Sequence, residues 1–322
     1  GEIKILNEEE INILHENAMC IYKNTQTIIY KIKQDSNIYD PDRKYIAMKE
    51  FYFKLPHKTP TKIQGEFVWK DDDDDDDYDD ESDEKEFFTQ NKKQMETFIK
   101  ENEIISNLNH PNIIKSFGYY FGDKNHMPCI LLQYYKYDLY TSIKALNDIS
   151  CIEIIYEICD AMKYIHNAGV IHRDLKPSNI LISADKHVKI CDFGLSTLFP
   201  ELMSNSLTRG VGTIPFMAPE MVKMHKYDNK VDVYSFGIVL YYILTRNDNN
   251  FEEKIRNDVL EIPDYINEFS KMLIQKCTSY SPEDRPSFAE IIDLILSNDF
   301  QLIDGIEDKI PDIRNHLRIW ST

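Results

Sequence analysis

No glycine stands between Gly1 and Gly65, and the chain of 322 residues has only 10. A GxGxxG turn uses glycines to bring backbone N–H groups close to phosphate oxygens, so the stretch before Gly65 cannot hold one. Cysteine is equally thin. Cys20, Cys129, Cys151, Cys159, Cys191 and Cys277 are scattered with no CxxC pair, which argues against a disulfide framework or a zinc site. No apolar run approaches the roughly 18 residues that a membrane span needs. The most apolar stretch, 231–244, is interrupted by Asp232 and Ser235 and reads as a buried helix. Basic residues are also in deficit: 37 Lys and Arg face 55 Asp and Glu, for a net charge of −18. A basic nucleic-acid-binding face is not indicated. No internal repeat and no signal-peptide pattern is visible, and the expected location is cytoplasmic.

What is present is enough apolar material, 42% of residues, for one large domain or a two-lobed one. The acidity is local. Residues 71–86 carry thirteen acidic side chains against Lys85, a charge of −12. Together with Pro56, Pro60 and Gly65, that run makes 55–92 an expected disordered insertion, too charged to offset the entropy of ordering. It is also a candidate dock for basic partners.

Periodicity divides the rest. Residues 18–32 and 44–54 alternate and are rich in Ile, Tyr and Phe, as strands are; apolar runs at 113–121 and 129–134 predict two more. Met95, Phe98, Ile99, Ile105 and Leu108 resume helical spacing over 91–108. Beyond residue 150 the pattern is helical. Ile152, Ile155, Ile158, Met162 and Ile165 share a face stopped by Gly169. Val231, Phe236, Val239, Leu240 and Ile243 mark a second face; Phe288, Ile291, Ile292 and Ile295, opened by Pro286, mark a third. Strands followed by helices suggest a small β-rich lobe joined to a larger helical one, an α+β arrangement whose cleft suits a nucleotide. Residues 299–322 lie beyond this unit and either dock on it or begin another segment.

The chemistry is concentrated in HRDLKPSNILISADKHVKICDFG, residues 172–194. It sets Asp174, Lys176, Asn179 and Asp192 in one short stretch. Phosphoryl transfer needs a carboxylate to orient an incoming hydroxyl, a lysine to neutralise the moving phosphoryl group, and a carboxylate and an amide to hold Mg²⁺. An APE segment ending at Glu220, then DVYSFG with Asp232 and PEDRPSF with Arg285, follow in order.

On these motifs the chain resembles the eukaryotic protein-kinase family over roughly residues 15–298. The resemblance implies the two-lobed protein-kinase fold, with an N-lobe over 1–134, a C-lobe over 135–298 and a C-terminal extension over 299–322. It implies ATP and Mg²⁺ as cofactors and a protein as substrate. Asp174 then positions the substrate hydroxyl, Lys176 meets the γ-phosphate, and Asn179 and Asp192 hold the metal. IAMK at 46–49 resembles the strand that carries the ATP-positioning lysine, here Lys49, with Ala47 over the adenine. Its glutamate partner comes from the following helix. At about 100° per residue, Glu101 lies about 40° from Ile105 and Glu103 about 160° from it. The inward position, where an unpaired carboxylate is costly, selects Glu101.

The same resemblance makes Leu132 the gatekeeper and gives Gln133 and Tyr135 the adenine edge. Leu181 becomes the floor, and Ile21 and Ile29 complete the ATP-binding set. It makes Arg173 a partner for a phosphorylated activation segment, with Ser204, Ser206 and Thr208 as candidate phosphosites, and puts Thr213 at the peptide site. Glu220 with Arg285 forms a structural ion pair, and Asp232 braces the catalytic loop. LKPSN, together with GT ahead of APE, favours serine/threonine over tyrosine specificity. DVYSFG and RPSF resemble the tyrosine-kinase-like branch.

The departure is the phosphate-covering loop, where Tyr22, Asn24 and Thr27 occupy the glycine positions. The loop is expected to be stiffer and its side chains to crowd the triphosphate. That motivates an alternative reading as a pseudokinase or scaffold that binds partners and transfers little phosphate.

Overall fold

The computed structural model describes residues 3–24, 26–35, 38–52, 58–63, 66–71, 81–123, 125–194, 196–198, 216–223, 225–247, 260–297 and 301–320. The candidate phosphosites Ser204, Ser206 and Thr208, with Thr213, lie outside them, as does the acidic run from 72 to 80. The chain divides into two compact units, one of Gly1–Asn107 with Ile114–Tyr134, the other of Leu108–Ile113 with Tyr135–Thr322.

The first unit is built on β1 (Lys4–Ile5), β2 (Ala18–Lys23), β3 (Thr27–Lys33), β4 (Tyr45–Phe51), β7 (Ser116–Tyr120) and β8 (Cys129–Gln133). They form one six-stranded sheet in the order β1-β7-β8-β4-β3-β2. Only β1 runs parallel to its neighbour. Gly118 makes that pairing possible, because a Cβ there would stand 2.7 Å from the Lys4 carbonyl oxygen. Strand β4 is central and buried on both faces. On one face Ile46 and Met48 join Ile32, Cys129 and Leu131 in a core closed by Ile11 and Leu14 of α1 (Glu8–Glu16). Successive side chains of a strand alternate in direction. Ala47, Lys49 and Phe51 therefore take the other face, where the Phe51 ring meets Phe98 of α2 (Glu81–Asn107) edge-on at 5.1 Å.

Two expectations for this unit change. The insertion at 55–92 is not without order: β5 (Lys58–Ile63) and β6 (Glu66–Asp71) pair antiparallel. Their register places Ile63 opposite Glu66 and Lys58 opposite Asp71. Helix α2 starts at Glu81 and not near residue 91. Its first turns, ESDEKEFF, are rich in good helix formers but carry no apolar stripe for periodicity to detect. Helix α1 and β1 were not anticipated either. Asn7 caps α1 reciprocally with Glu10, a capping box too short-range to show in the hydrophobic pattern.

The second unit is helical. In chain order it has β9 (Tyr137–Asp138), α3 (Leu139–Ser142), α4 (Asp148–Asn167), β10 (Val170–Ile171), β11 (Ile180–Ile182), β12 (Val188–Ile190) and β13 (Thr197–Leu198). These are followed by α5 (Pro219–Val222), α6 (Lys230–Thr245), α7 (Glu268–Cys277), α8 (Phe288–Leu296) and α9 (Ile310–Trp320). Helix α4 is the central post, with Ile155, Ile158, Met162 and Ile165 fully buried. Gly169 ends it at φ +75°, a conformation glycine enters without a Cβ penalty. Helix α8 packs on α4.

The C-terminal segment docks on this unit. Ile310, Ile313 and Leu317 of α9 are buried and line a small cavity with Ile152 of α4 and Ile295 of α8. The approach to α9 is tied down by Ser270, whose hydroxyl donates to the Leu302 carbonyl at 2.6 Å. All six cysteines are free thiols, four of them buried. Among the described residues no helix is long and apolar enough to cross a membrane.

Candidate active site

The first unit supplies a lysine. Lys49 sits at the middle of β4, flanked in register by Ile29 of β3 and Ile130 of β8. Its Nζ donates to both carboxylate oxygens of Glu101, at 2.7 and 2.9 Å. Glu101 is 2% exposed and lies on the inward face of α2 with Met95, Phe98 and Ile105, whereas Glu103 is exposed. The pair is charge-assisted and nearly water-free, and such pairing is what makes burial of two charges tolerable. On the strands beside Lys49, Ala47 lies opposite Leu132 and Tyr22 opposite Ile29, so the apolar residues expected around adenine occupy neighbouring rows. Ile21, at the bulge of edge strand β2, is exposed. The Gln133 side chain accepts from the Lys115 N–H at 3.1 Å.

The second unit supplies the polar cluster. After β10 the chain turns through Arg173, which takes φ +68°, a left-handed conformation that is costly for a side-chain-bearing residue. Asp232, at the start of α6, holds it there. Its two oxygens accept the backbone N–H groups of His172 and Arg173, both at 2.9 Å, and the ring Nε2–H of His166 at 2.8 Å. His172 is fixed as its Nε2–H tautomer: Nε2 donates to the Cys191 carbonyl at 2.9 Å and Nδ1 accepts the Asp174 N–H at 3.2 Å. The loop is thereby set against the DFG segment.

Within the loop, the Asn179 carboxamide N–H₂ donates to the Asp174 carbonyl at 2.8 Å and to its Oδ2 at 3.1 Å. Lys176 Nζ lies 3.5 Å from the same Oδ2. Because the amide nitrogen of Asn179 is committed to Asp174, its Oδ1 is the atom it offers a cation. The β11–β12 hairpin brings in the other oxygen donor. Ile180 pairs with Ile190, and the Cys191 N–H donates to the Asn179 carbonyl at 3.0 Å, so Asp192 follows immediately. Asp192 also has positive φ, +63°, and is exposed. Its Oδ1 accepts the Gly194 N–H at 3.3 Å. Phe193 is buried, its ring 5.1 Å from His172 and edge-on to it. A carboxylate and an amide oxygen form a hard donor set that suits a divalent cation holding phosphate.

A family model for the protein kinase domain matches residues 83–295, about two thirds of the chain. The chain belongs to the protein kinase domain family. Its relatives include the Aurora kinase of Saccharomyces cerevisiae, 34% identical over 206 residues, 60% of this chain and 55% of that protein. The mitogen-activated protein kinase kinase kinase dlk-1 of Caenorhabditis elegans is 39% identical over 208 residues, 60% of this chain and 22% of that protein. The serine/threonine/tyrosine-protein kinase HT1 of Arabidopsis thaliana is 32% identical over 229 residues, 66% and 58% of the two chains. The match thus spans about half the length of the yeast and plant relatives and less than a quarter of dlk-1. Lys49 lies ahead of the stretch that the family model covers.

The remaining kinase motifs are structural pairings inside the second unit. Glu220 and Arg285 form a two-pronged ion pair at 2.5 and 2.9 Å. Leu181, on β11, is half-buried and lies opposite Lys189, while Tyr135 is buried. Arg173 donates to the Tyr227 hydroxyl at 2.8 Å. Sequence reasoning had not singled out His166, His172 or Tyr227. Only the HRD motif itself signals His172, and the other two meet their partners 66 and 54 residues away in sequence.

Burial alone would raise the pKa of Asp232. The hydrogen bonds and positive charge of His166, with the backbone N–H of His172, outweigh it and leave the carboxyl below its usual range. A depressed pKa adds stability that is present above the unfolded-state value near 3.9 and is lost as pH falls through the folded-state value. The stability difference between wild type and Asp232→Asn should therefore be full at pH 6 and shrink below about pH 4. Urea unfolding at pH 3, 5 and 7 checks this, and a pH-independent difference would assign the role of Asp232 to shape and not charge.

Proposed function

We propose that this chain is an ATP-dependent protein serine/threonine kinase that transfers the γ-phosphoryl group to protein hydroxyls. The observation that carries the reading is the Asp174–Asn179 pair, joined by hydrogen bonds on a strained loop that Asp232 braces. In this reading the substrate hydroxyl gives its proton to Asp174 as its oxygen bonds the γ-phosphorus, and ADP departs. Lys176 neutralises charge on the moving group, and Lys49, oriented by Glu101, holds the α- and β-phosphates. Asn179 and Asp192 would hold Mg²⁺, which supplies charge neutralisation on the phosphates. The adenine falls to Ile21, Ile29, Ala47, Leu132, Gln133, Tyr135 and Leu181.

Lys176 in LKPSN and the GT ahead of APE support serine/threonine specificity. DVYSFG and RPSF support the tyrosine-kinase-like branch. The −12 charge of residues 71–86 supports a basic docking partner.

The test is transfer from labelled ATP with Mg²⁺ to a generic basic protein, beside Asp192→Asn. Wild type is expected to label the substrate and Asp192→Asn to fall to the no-enzyme background. Equal signals from the two proteins overturn the reading. A nucleotide-induced melting shift with no transfer by wild type favours the pseudokinase, which the tip of the β2–β3 hairpin supports.

A further inference from the structure

The β2–β3 tip stands where a kinase places its phosphate-covering glycines. Tyr22, Ile29 and Lys49 lie in one cross-strand row, so the tip is at the end of the sheet that Lys49 serves. Asn24 closes that tip on itself. Its Oδ1 accepts the backbone N–H of Gln26 at 2.8 Å, the backbone N–H of Thr27 at 2.7 Å and the Thr27 hydroxyl at 3.2 Å. The Asn24 N–H donates to the Thr27 carbonyl at 3.0 Å, and its side-chain amide reaches the Tyr22 hydroxyl at 3.3 Å. The far side is pinned as well, because the Tyr52 N–H donates to the Gln26 carbonyl at 2.7 Å. Among the described residues of the tip, the N–H groups of Asn24, Gln26 and Thr27 are all donated inside the hairpin.

We propose that Asn24 sets the nucleotide affinity of this chain by binding the tip amides itself and so withholding them from the ATP phosphates. The proposal rests on the kinase reading above. A loop with glycines offers its N–H groups to anionic oxygens, where a hydrogen bond to a charged group is stronger than a neutral one. Here a neutral carboxamide holds two of those donors. An asparagine bonding to backbone two and three residues on is a common turn device, and this one takes the place of the phosphate. The triphosphate is then held chiefly by Lys49 and the metal ligands. Because only the outer phosphates reach such a loop, Asn24 discriminates between ATP and AMP and not between protein substrates.

The test uses the full chain with Asn24→Gly, Asn24→Ala and Asn24→Ser. ATP–Mg²⁺ and AMP binding are read by calorimetry, and protection of the Gln26 and Thr27 amides by hydrogen exchange. Asn24→Gly and Asn24→Ala are expected to lose that protection and to bind ATP about tenfold tighter, with AMP affinity unchanged. Asn24→Ala separates release of the amides from the added freedom of glycine. Asn24→Ser keeps an oxygen acceptor and is expected to restore both protection and the original affinity. Wild-type binding that neither variant tightens, or equal tightening for ATP and AMP, overturns the role of Asn24 and leaves the kinase reading intact. No nucleotide binding by any of the four proteins overturns both.

Discussion

Asp174→Asn should lower phosphotransfer by about 10²–10⁴-fold, the usual worth of a positioned acid–base group, with ATP affinity unchanged. The substitution changes one oxygen for nitrogen and removes the atom that can take a proton. The loop itself should survive. Its backbone is held by Asp232 through the His172 and Arg173 N–H groups and by His172 through the Cys191 carbonyl, and the side chain of Asp174 bears none of these bonds. The Asn179 bond to the Asp174 carbonyl is also retained. Thermal stability close to wild type would separate this variant from one that merely unfolds. The affected parameter is kcat, because a proton acceptor is needed in the transition state and contributes little to nucleotide binding. A loss below tenfold would remove Asp174 from the proton path and leave it a positioning role.

The polar cluster was legible because its residues are close in sequence. Asp174, Lys176 and Asn179 span a single turn, and the short β11–β12 hairpin returns the chain at Cys191, so spacing nearly fixes geometry there. Glu101 was legible for a different reason. A carboxylate placed by helical rotation on an apolar face needs a cation, and Lys49 meets it at 2.7 Å. The bonds that hold these groups were legible only in part. DVYSFG marked Asp232 as the brace of the catalytic loop through the family resemblance, and its oxygens do accept the His172 and Arg173 N–H groups, but the third donor, His166, lies 66 residues away and has no local signal.

The insertion at 55–92 shows the opposite limit. Its mean charge argued against order, yet Lys58–Ile63 and Glu66–Asp71, which flank the acidic run on one side and show no alternation of their own, pair as antiparallel strands. The missing glycines before residue 65 were plain in the sequence, and the stiffness they imply was expected. That a single asparagine would accept the Gln26 and Thr27 amides together is a matter of local backbone geometry that no spacing reveals.

Arg285→Ala is expected to destabilise the second unit by about 3–5 kcal/mol, the cost of stranding a buried charge. Arg285 is 1% exposed and Glu220 is buried beside it. The guanidinium does more than pair with the carboxylate. It donates to the carbonyls of Ser279, Lys230 and Tyr280 at 2.8, 3.1 and 3.3 Å, and its carbon lies 5.1 Å from the centre of the Tyr234 ring. One side chain thus ties α5 to the start of α6 and to the turn after α7. At about 2–4 °C per kcal/mol for a unit of this size, the melting temperature should fall by about 6–20 °C.

Arg285→Lys should recover only part of the loss, since an ammonium cannot span both carboxylate oxygens and three carbonyls. Glu220→Gln should cost less than Arg285→Ala, and adding it to Arg285→Ala should return some of the lost stability, because no carboxylate is then buried without a cation. Chemical denaturation of the four proteins measures the coupling. If Arg285→Ala lies within about 1 kcal/mol of wild type, the pair adds little to the fold and its burial is incidental. If the double variant is as unstable as the sum of the two single ones, the three carbonyl bonds carry the stability and the ion pair does not.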